Sequence, residues 1–189
     1  MQIAVIVGSL RKESYTRKIT HALRDLAPKS LTLTEVAIGS LPLYNQDLDP
    51  DQPPREWVEF REKVRKVDGV LFATPEYNRS VPGVLKNAID VGSRPYGKSC
   101  WEHKPCAVIS VSPGTYGGFG ANHHLRQSLV FLDMPCMQQP EAYIANVAKA
   151  WDEAGKLAPK TEELLKKFVD AFAQWCEQMS TKHVQHSAA

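Results

Sequence analysis

Unbroken apolar runs alternate along this chain with stretches of helical spacing. Ile3 to Val7 is unbroken, apolar and rich in β-branched residues, and Val70 to Thr74 and Pro105 to Val111 are largely apolar. That pattern fits strands covered on both faces, as in a parallel sheet with helices on each side. Leu31 to Val36 alternates instead, LTLTEV, and predicts a strand with one more exposed face. Between these runs, Thr16 to Leu26 repeats Ile19, Ala22, Leu23 and Leu26. Arg55 to Val67 turns Trp57, Phe60 and Val64 inward, and Val84, Leu85, Ala88, Ile89 and Val91 mark a third helix. Ala121 to Phe131 predicts a fourth helix. Met134 to Gln138 predicts a short fifth strand, with Tyr143-Ile144 extending that edge. Thr161 to Met179 predicts the last helix, with Thr161 as its N-cap and Glu162-Glu163 near its positive end. One domain is expected over 1–180 and a frayed, disordered tail over 181–189.

Strands and helices that alternate throughout predict a doubly wound α/β sandwich. Right-handed crossovers then bring all strand C-termini to one rim, where ligands bind close to the reversal of strand order. In the five-stranded order 2-1-3-4-5, strands one, three and four are adjacent. Each is followed by a loop dense in Gly, Ser, Pro or Asn: Gly8 to Ser14, Pro75 to Gly83, and Ser112 to Gly120. Three such loops converging on one pocket argue more strongly than any of them alone. Gly39 to Pro54, with four prolines, is a further long surface loop.

The first loop offers Ser9, Ser14 and Thr16 hydroxyls, the Arg11 guanidinium and a helix N-terminus, which together suit an anion, most simply phosphate. Ser14 or Thr16 could equally serve as the helix cap. Neither a Gly-Lys-Ser/Thr P-loop nor a GxGxxG fingerprint follows the first strand, so a mononucleotide fits better there than a nucleoside triphosphate or a dinucleotide. The second loop suits a flat, mostly apolar ring. Pro75 stiffens the turn, Tyr77 supplies an aromatic wall, and Asn78 tolerates unusual dihedrals. Glu76 is expected to order the loop or face a neighbouring subunit, and Lys86 to sit on a solvated helix face. The third loop, with Gly114, Gly117, Gly118 and Gly120, allows close backbone approach.

Composition narrows the partners. A formal net charge of +2 over 189 residues does not point to nucleic acid or a membrane surface, and no stretch has the length and apolarity of a membrane span. Without a signal-peptide pattern, the expected location is the cytoplasm. Cys100, Cys106, Cys136 and Cys176 form no CxxC pair and are expected as free thiols. Adjacent His123-His124 would make a poor metal clamp, and no metal site is expected.

These loops carry a family resemblance. GSLRKES at 8–14, PEYNRSVPGVLKNAID at 75–90 and SVSPGTYGGFGA at 110–121 resemble the NAD(P)H-dependent FMN reductase family, in particular its bacterial quinone and chromate reductase branch. The resemblance implies a flavodoxin-like fold that binds FMN non-covalently. The ribityl phosphate would lie against Ser9, Arg11, Ser14, Tyr15 and Thr16, and the isoalloxazine against Pro75, Glu76, Tyr77 and Asn78. Ser112 and Gly114 would border the ring, with Gly117 nearby. Glu13 and Thr16 depart from the family pattern, and Glu13 beside a phosphate is unfavourable unless it points to solvent. The implied activity is ping-pong transfer of hydride from NADPH or NADH through flavin N5 to quinones, free flavin, azo compounds or chromate. No side-chain acid, base or nucleophile is required for the hydride step, so no catalytic residue is named. A homodimer or homotetramer is implied, with Arg126, Glu141 and Tyr143 as interface groups. The alternative is a flavodoxin-type electron carrier without nicotinamide turnover. A regulatory module that has lost the flavin, or a nucleotide hydrolase lacking its phosphate lysine, would be further departures.

Overall fold

In the computed structural model, which describes residues 1–186 and side chains through residue 180, five parallel strands pair in the order β2-β1-β3-β4-β5. They are β1 (Gln2–Val7), β2 (Thr32–Glu35), β3 (Gly69–Thr74), β4 (Cys106–Val111) and β5 (Ala142–Ile144). The helices are α1 (Tyr15–Leu26), α2 (Arg55–Arg65), α3 (Gly83–Gly92), α4 (Phe119–Phe131) and α5 (Pro159–His186). The expected fold class and strand order are those observed.

Strand pleat divides the core in two. Ile3, Val5 and Val7 of β1 face Ile19 and Leu23 of α1 and Leu165, Phe168 and Phe172 of α5. Ala4 and Ile6 face the opposite way, toward Trp57, Phe60 and Val64 of α2, Leu85 and Ile89 of α3, and Leu125 and Leu129 of α4. All six residues of β3 and of β4 are buried, which explains why Thr74 and Ser110 are their only polar side chains. Trp101, in the loop after α3, is fully buried and donates from Nε1 to the Ile89 carbonyl at 3.0 Å. It lies so close to Gly92 that a Cβ there would sit 2.4 Å from the indole, so only glycine fits.

Two expected boundaries are corrected. The fifth strand is Ala142–Ile144, not Met134 to Gln138. That segment makes a single bridge, Cys136 beside Cys106, because Pro135 and Pro140 interrupt any longer ladder. The last helix begins at Pro159, so Thr161 is already inside it, and the Thr161 and Glu162 amides donate to Ala158 O. Proline at the first helical position loses no hydrogen bond there. The helical backbone runs past Met179 to His186, and residues 187–189 of the expected tail lie outside the described residues.

The long loop after β2 is held from beneath. Asp49 and Arg61, each about 4% exposed, pair through two hydrogen bonds of 2.7 and 3.0 Å. Asn87 of α3 accepts from Tyr44 N–H at 2.8 Å and donates to Leu41 O and Pro42 O, while Trp57 donates to Pro42 O at 2.9 Å. Lys86 stays outside, paired with Asp90 one turn on.

Candidate functional site

Because β1, β3 and β4 are neighbours, the loops at their C-terminal ends meet on one rim, beside the point where strand order reverses. Between them lies a cleft of about 190 Å³. It is lined by Ser9, Arg11, Ser14, Tyr15 and Thr16 from the first loop and α1, Pro75, Glu76 and Tyr77 from the second loop, and Val111, Ser112 and Pro113 from the third. Nine of the twelve expected site residues therefore share one cavity. Asn78, Gly114 and Gly117 lie beyond its lining.

The first loop is a set of donors without acceptors. Among the described residues, no amide from Ser9 to Thr16 donates to the protein. Ser14 is the N-cap of α1, its hydroxyl accepting from Arg17 N–H at 3.2 Å. Ser9 and Thr16 are largely buried residues on the cleft lining, and their hydroxyls, open to the cleft, make no hydrogen bond to the chain. A cleft lined by amides and hydroxyls with no protein acceptor fits an acceptor-rich ligand. With the N-terminal end of α1 below and the exposed Arg11 above, that acceptor is best an anion. Glu13 does not oppose this. Its side chain is 80% exposed and pairs with Lys18.

Arg17 shapes this loop from behind, a role its sequence position does not reveal. Its guanidinium donates to Arg11 O at 3.0 Å and Ser9 O at 3.1 Å and pairs with Glu35 of β2. Tyr15 stacks on Trp151, with ring centroids 6.5 Å apart, and forms the outer wall.

In the second loop, Tyr77 and Ser80 exchange two backbone hydrogen bonds, of 3.1 and 2.9 Å, around Asn78 and Arg79. Both central residues have left-handed φ, 50° and 63°, the signature of a type I′ turn. Asn78 thus serves as a turn residue at the tip, and Tyr77, half exposed, stands over the cleft. Arg79 lies over the Tyr116 ring of the third loop at 5.0 Å.

Glu76 joins the second and third loops. The N-cap position of α4 is Gly118, which has no side chain to cap with. The Glu76 carboxylate, from 45 residues earlier, accepts from Ala121 N–H at 3.0 Å and fills that role. Gly120 makes room for it, since a Cβ would stand 3.0 Å from the carboxylate and 2.7 Å from Arg79 O. Of the two roles expected for Glu76, ordering the loop is the one observed. Gly117 has φ of +60° and packs against Tyr143, where a Cβ would come within 2.9 Å, so its freedom serves the join to β5. Gly114 N–H donates to the Ser112 hydroxyl at 3.0 Å.

The three groups expected at an interface bond within the chain. Tyr143 donates to Glu141 at 2.8 Å and meets His123 at 3.0 Å; burial and the neighbouring carboxylate push its phenol up to about 12. Arg126 bonds Asn122, Cys136 and Met137 O. Among the described residues, no helix is long and apolar enough to cross a membrane.

Residues 1–149 match the family described as NADPH-dependent FMN reductase. A quinone reductase of Pseudomonas putida is 65% identical over 173 residues, 92% of this chain and 93% of that protein. A 2-hydroxy-1,4-benzoquinone reductase of a Burkholderia species is 45% identical over 176 residues, covering 93% and 96% of the two. Among solved structures, the flavoenzyme NAD(P)H:(acceptor) oxidoreductase FerB of Paracoccus denitrificans superposes with a TM-score of 0.88 at 43% identity, covering 94% of this chain and 98% of its own.

Proposed function

The chain belongs to the NADPH-dependent FMN reductase family and is an NAD(P)H-dependent flavin oxidoreductase; on that premise we propose that it reduces quinones by a ping-pong cycle at the three-loop cleft. FMN, when bound, supplies the hydride chemistry, taking two electrons from NAD(P)H and passing them to the acceptor. The residues present fit that cofactor. The observation that carries the reading is the first loop, where amides and two hydroxyls without a protein acceptor line the cleft.

In this reading Ser9, Arg11, Ser14, Tyr15 and Thr16 hold the phosphate. Arg11 and the α1 terminus neutralise its charge. Pro75, Glu76, Tyr77 and Asn78 form the ring side, with Tyr77 as the wall and Glu76 and Asn78 fixing the loop that carries it. Ser112, Gly114 and Gly117 form the far border. No side chain transfers a proton in the hydride step. The half-exposed Tyr77 and more exposed Tyr116 leave the acceptor side open. An open slot discriminates weakly among the acceptors that reach it, so free flavin, azo compounds and chromate are proposed as acceptors beside quinones. Exposed Phe119, Val130 and Phe131 on α4 support a homodimer or homotetramer, and four unpaired thiols support a reducing, cytoplasmic setting.

The test is an anaerobic spectrum of the FMN-loaded protein. Addition of NADPH or NADH should bleach the flavin bands in the absence of acceptor, and a quinone added afterwards should restore them. Bleaching that requires both substrates together would exclude the ping-pong cycle. A bound flavin that neither nucleotide bleaches would leave an electron carrier.

A further inference from the structure

At the opposite end of β4 from the cleft, two thiols meet. Cys106 opens the strand, and its N–H donates to Pro135 O at 3.0 Å while its carbonyl accepts from Met137 N–H at 2.8 Å. Cys136 is therefore its parallel bridge partner. Side chains of such partners project to the same face, and adjacent strands lie roughly 4.8 Å apart, within the Cα range of about 4.4–6.8 Å that a disulfide spans. The Cys136 thiol donates to Met137 O at 3.8 Å, the carbonyl that also accepts from Arg126. Arg126 Nη1 donates to Cys136 Sγ at 3.3 Å. Nη2 of the same guanidinium is buried and has no partner among the described residues. Cys106 is fully buried and Cys136 is partly exposed.

We infer that Cys136 and Cys106 form an oxidation site, a hydroperoxide-reactive thiol and the thiol that resolves it as a reversible disulfide. The Cys136 thiolate attacks one oxygen of hydrogen peroxide. An S–O bond forms and the O–O bond breaks. The departing hydroxide takes up a proton to become water, leaving a sulfenic acid. Cys106 sulfur then attacks the Cys136 sulfur. The S–S bond forms, the S–O bond breaks, and hydroxide leaves with the Cys106 proton as a second water. Two thiols and one peroxide give one disulfide and two waters.

The surroundings divide the labour. The neighbouring Cys106 thiol, against the opposing effect of burial and with help from the Arg126 guanidinium that donates to Cys136 Sγ, lowers the Cys136 thiol from its usual value, as an attacking thiol requires. The unpartnered Nη2 leaves a donor for the sulfenic oxygen. Cys106 is held well up by burial and keeps its proton until the second step. Cys100 and Cys176 are buried and pushed up to about 12, so they serve as internal controls.

The experiment treats the FMN-loaded protein with graded hydrogen peroxide. The protein is then denatured in an alkylating agent and its peptides are weighed, with a free cysteine peptide in the same tube as a reactivity standard. Two of the four thiols should be lost together, in a Cys106–Cys136 cross-linked peptide that dithiothreitol reverses. In Cys106→Ser, Cys136 should gain oxygen without a cross-link. In Cys136→Ser, Cys106 should stay alkylatable. The proposal is overturned if wild-type Cys136 remains reduced after the standard is consumed, or if the disulfide contains Cys100 or Cys176. The wild-type map decides even if a variant does not fold.

Discussion

Removing the Glu76 carboxylate should loosen two loops at once. The carboxylate accepts from Ala121 N–H, the third amide of α4, at 3.0 Å, and Ala121 is fully buried. Helix α4 has no cap of its own, because Gly118 occupies that position. Loss of an N-cap acceptor costs about 0.5–2 kcal/mol, and a hydrogen bond to a charged acceptor about 1.5–3 kcal/mol. The two estimates describe the same bond, so they are not added. The Arg79 pair, at 3.6 Å with Arg79 largely exposed, contributes little. Glu76→Ala should therefore destabilise the protein by about 2 kcal/mol, which for a chain of this size lowers Tm by roughly 4–8 °C. Glu76→Gln keeps an acceptor oxygen but loses the charge, and should cost about half as much. Urea unfolding of the flavin-free protein measures both. FMN titration should show weaker binding in Glu76→Ala, because the ring-side loop is no longer tied to the third loop. If both variants unfold within about 0.5 kcal/mol of wild type, the carboxylate is not acting as the cap of α4.

Arg11→Ala should weaken FMN binding by about 1–3 kcal/mol, the cost of one charged hydrogen bond, with unchanged Tm of the flavin-free protein because the side chain is exposed; isothermal titration and a thermal melt separate the two effects. Asp49→Ala leaves Arg61 buried without its carboxylate and should cost about 3–5 kcal/mol in urea unfolding, with faster proteolysis in the 39–54 loop. Burial pushes Cys100 and Cys176 up to about 12 in the folded protein, whereas unfolded thiols ionise nearer their ordinary value. In between, the unfolded chain binds fewer protons than the folded one. Stability should thus fall as pH rises from about 9 toward 12, and Cys100→Ala with Cys176→Ala should flatten that fall in pH-dependent urea melts.

The core strands and the three converging loops were legible in the sequence for one reason. Their signals are local, since a buried parallel strand is apolar at every position and a loop that approaches a ligand collects small and polar residues. Signals of three residues or fewer were not. Ala142–Ile144 is too short to show a period, and Met134 to Gln138 is the longer segment, so the pattern places the fifth strand too early. Thr161 is a good cap residue, but Pro159 begins the helix before it. Arg17, Asn87 and the helix partner of Glu76 are hidden for another reason. Each acts on a segment far away in sequence or on the back of its own loop, and a polar residue with a distant partner reads like any surface group. Asn78 was recognised for its tolerance of unusual dihedrals, and that is how the turn uses it.

The Arg17 contacts carry a consequence for how a ligand is received. A trans peptide unit is planar, so each carbonyl points opposite to the N–H that follows it. By holding Ser9 O and Arg11 O, Arg17 fixes the Leu10 and Lys12 amides in the opposite direction. The carbonyl dipoles, which would repel an anion, are tethered on the far side by a side chain anchored to β2 through Glu35. The loop is thereby preorganised, and the entropy of ordering it is spent when the chain folds rather than when a ligand arrives. Binding there is governed by desolvation and charge, and the first loop should keep the same backbone whether the cleft is empty or filled.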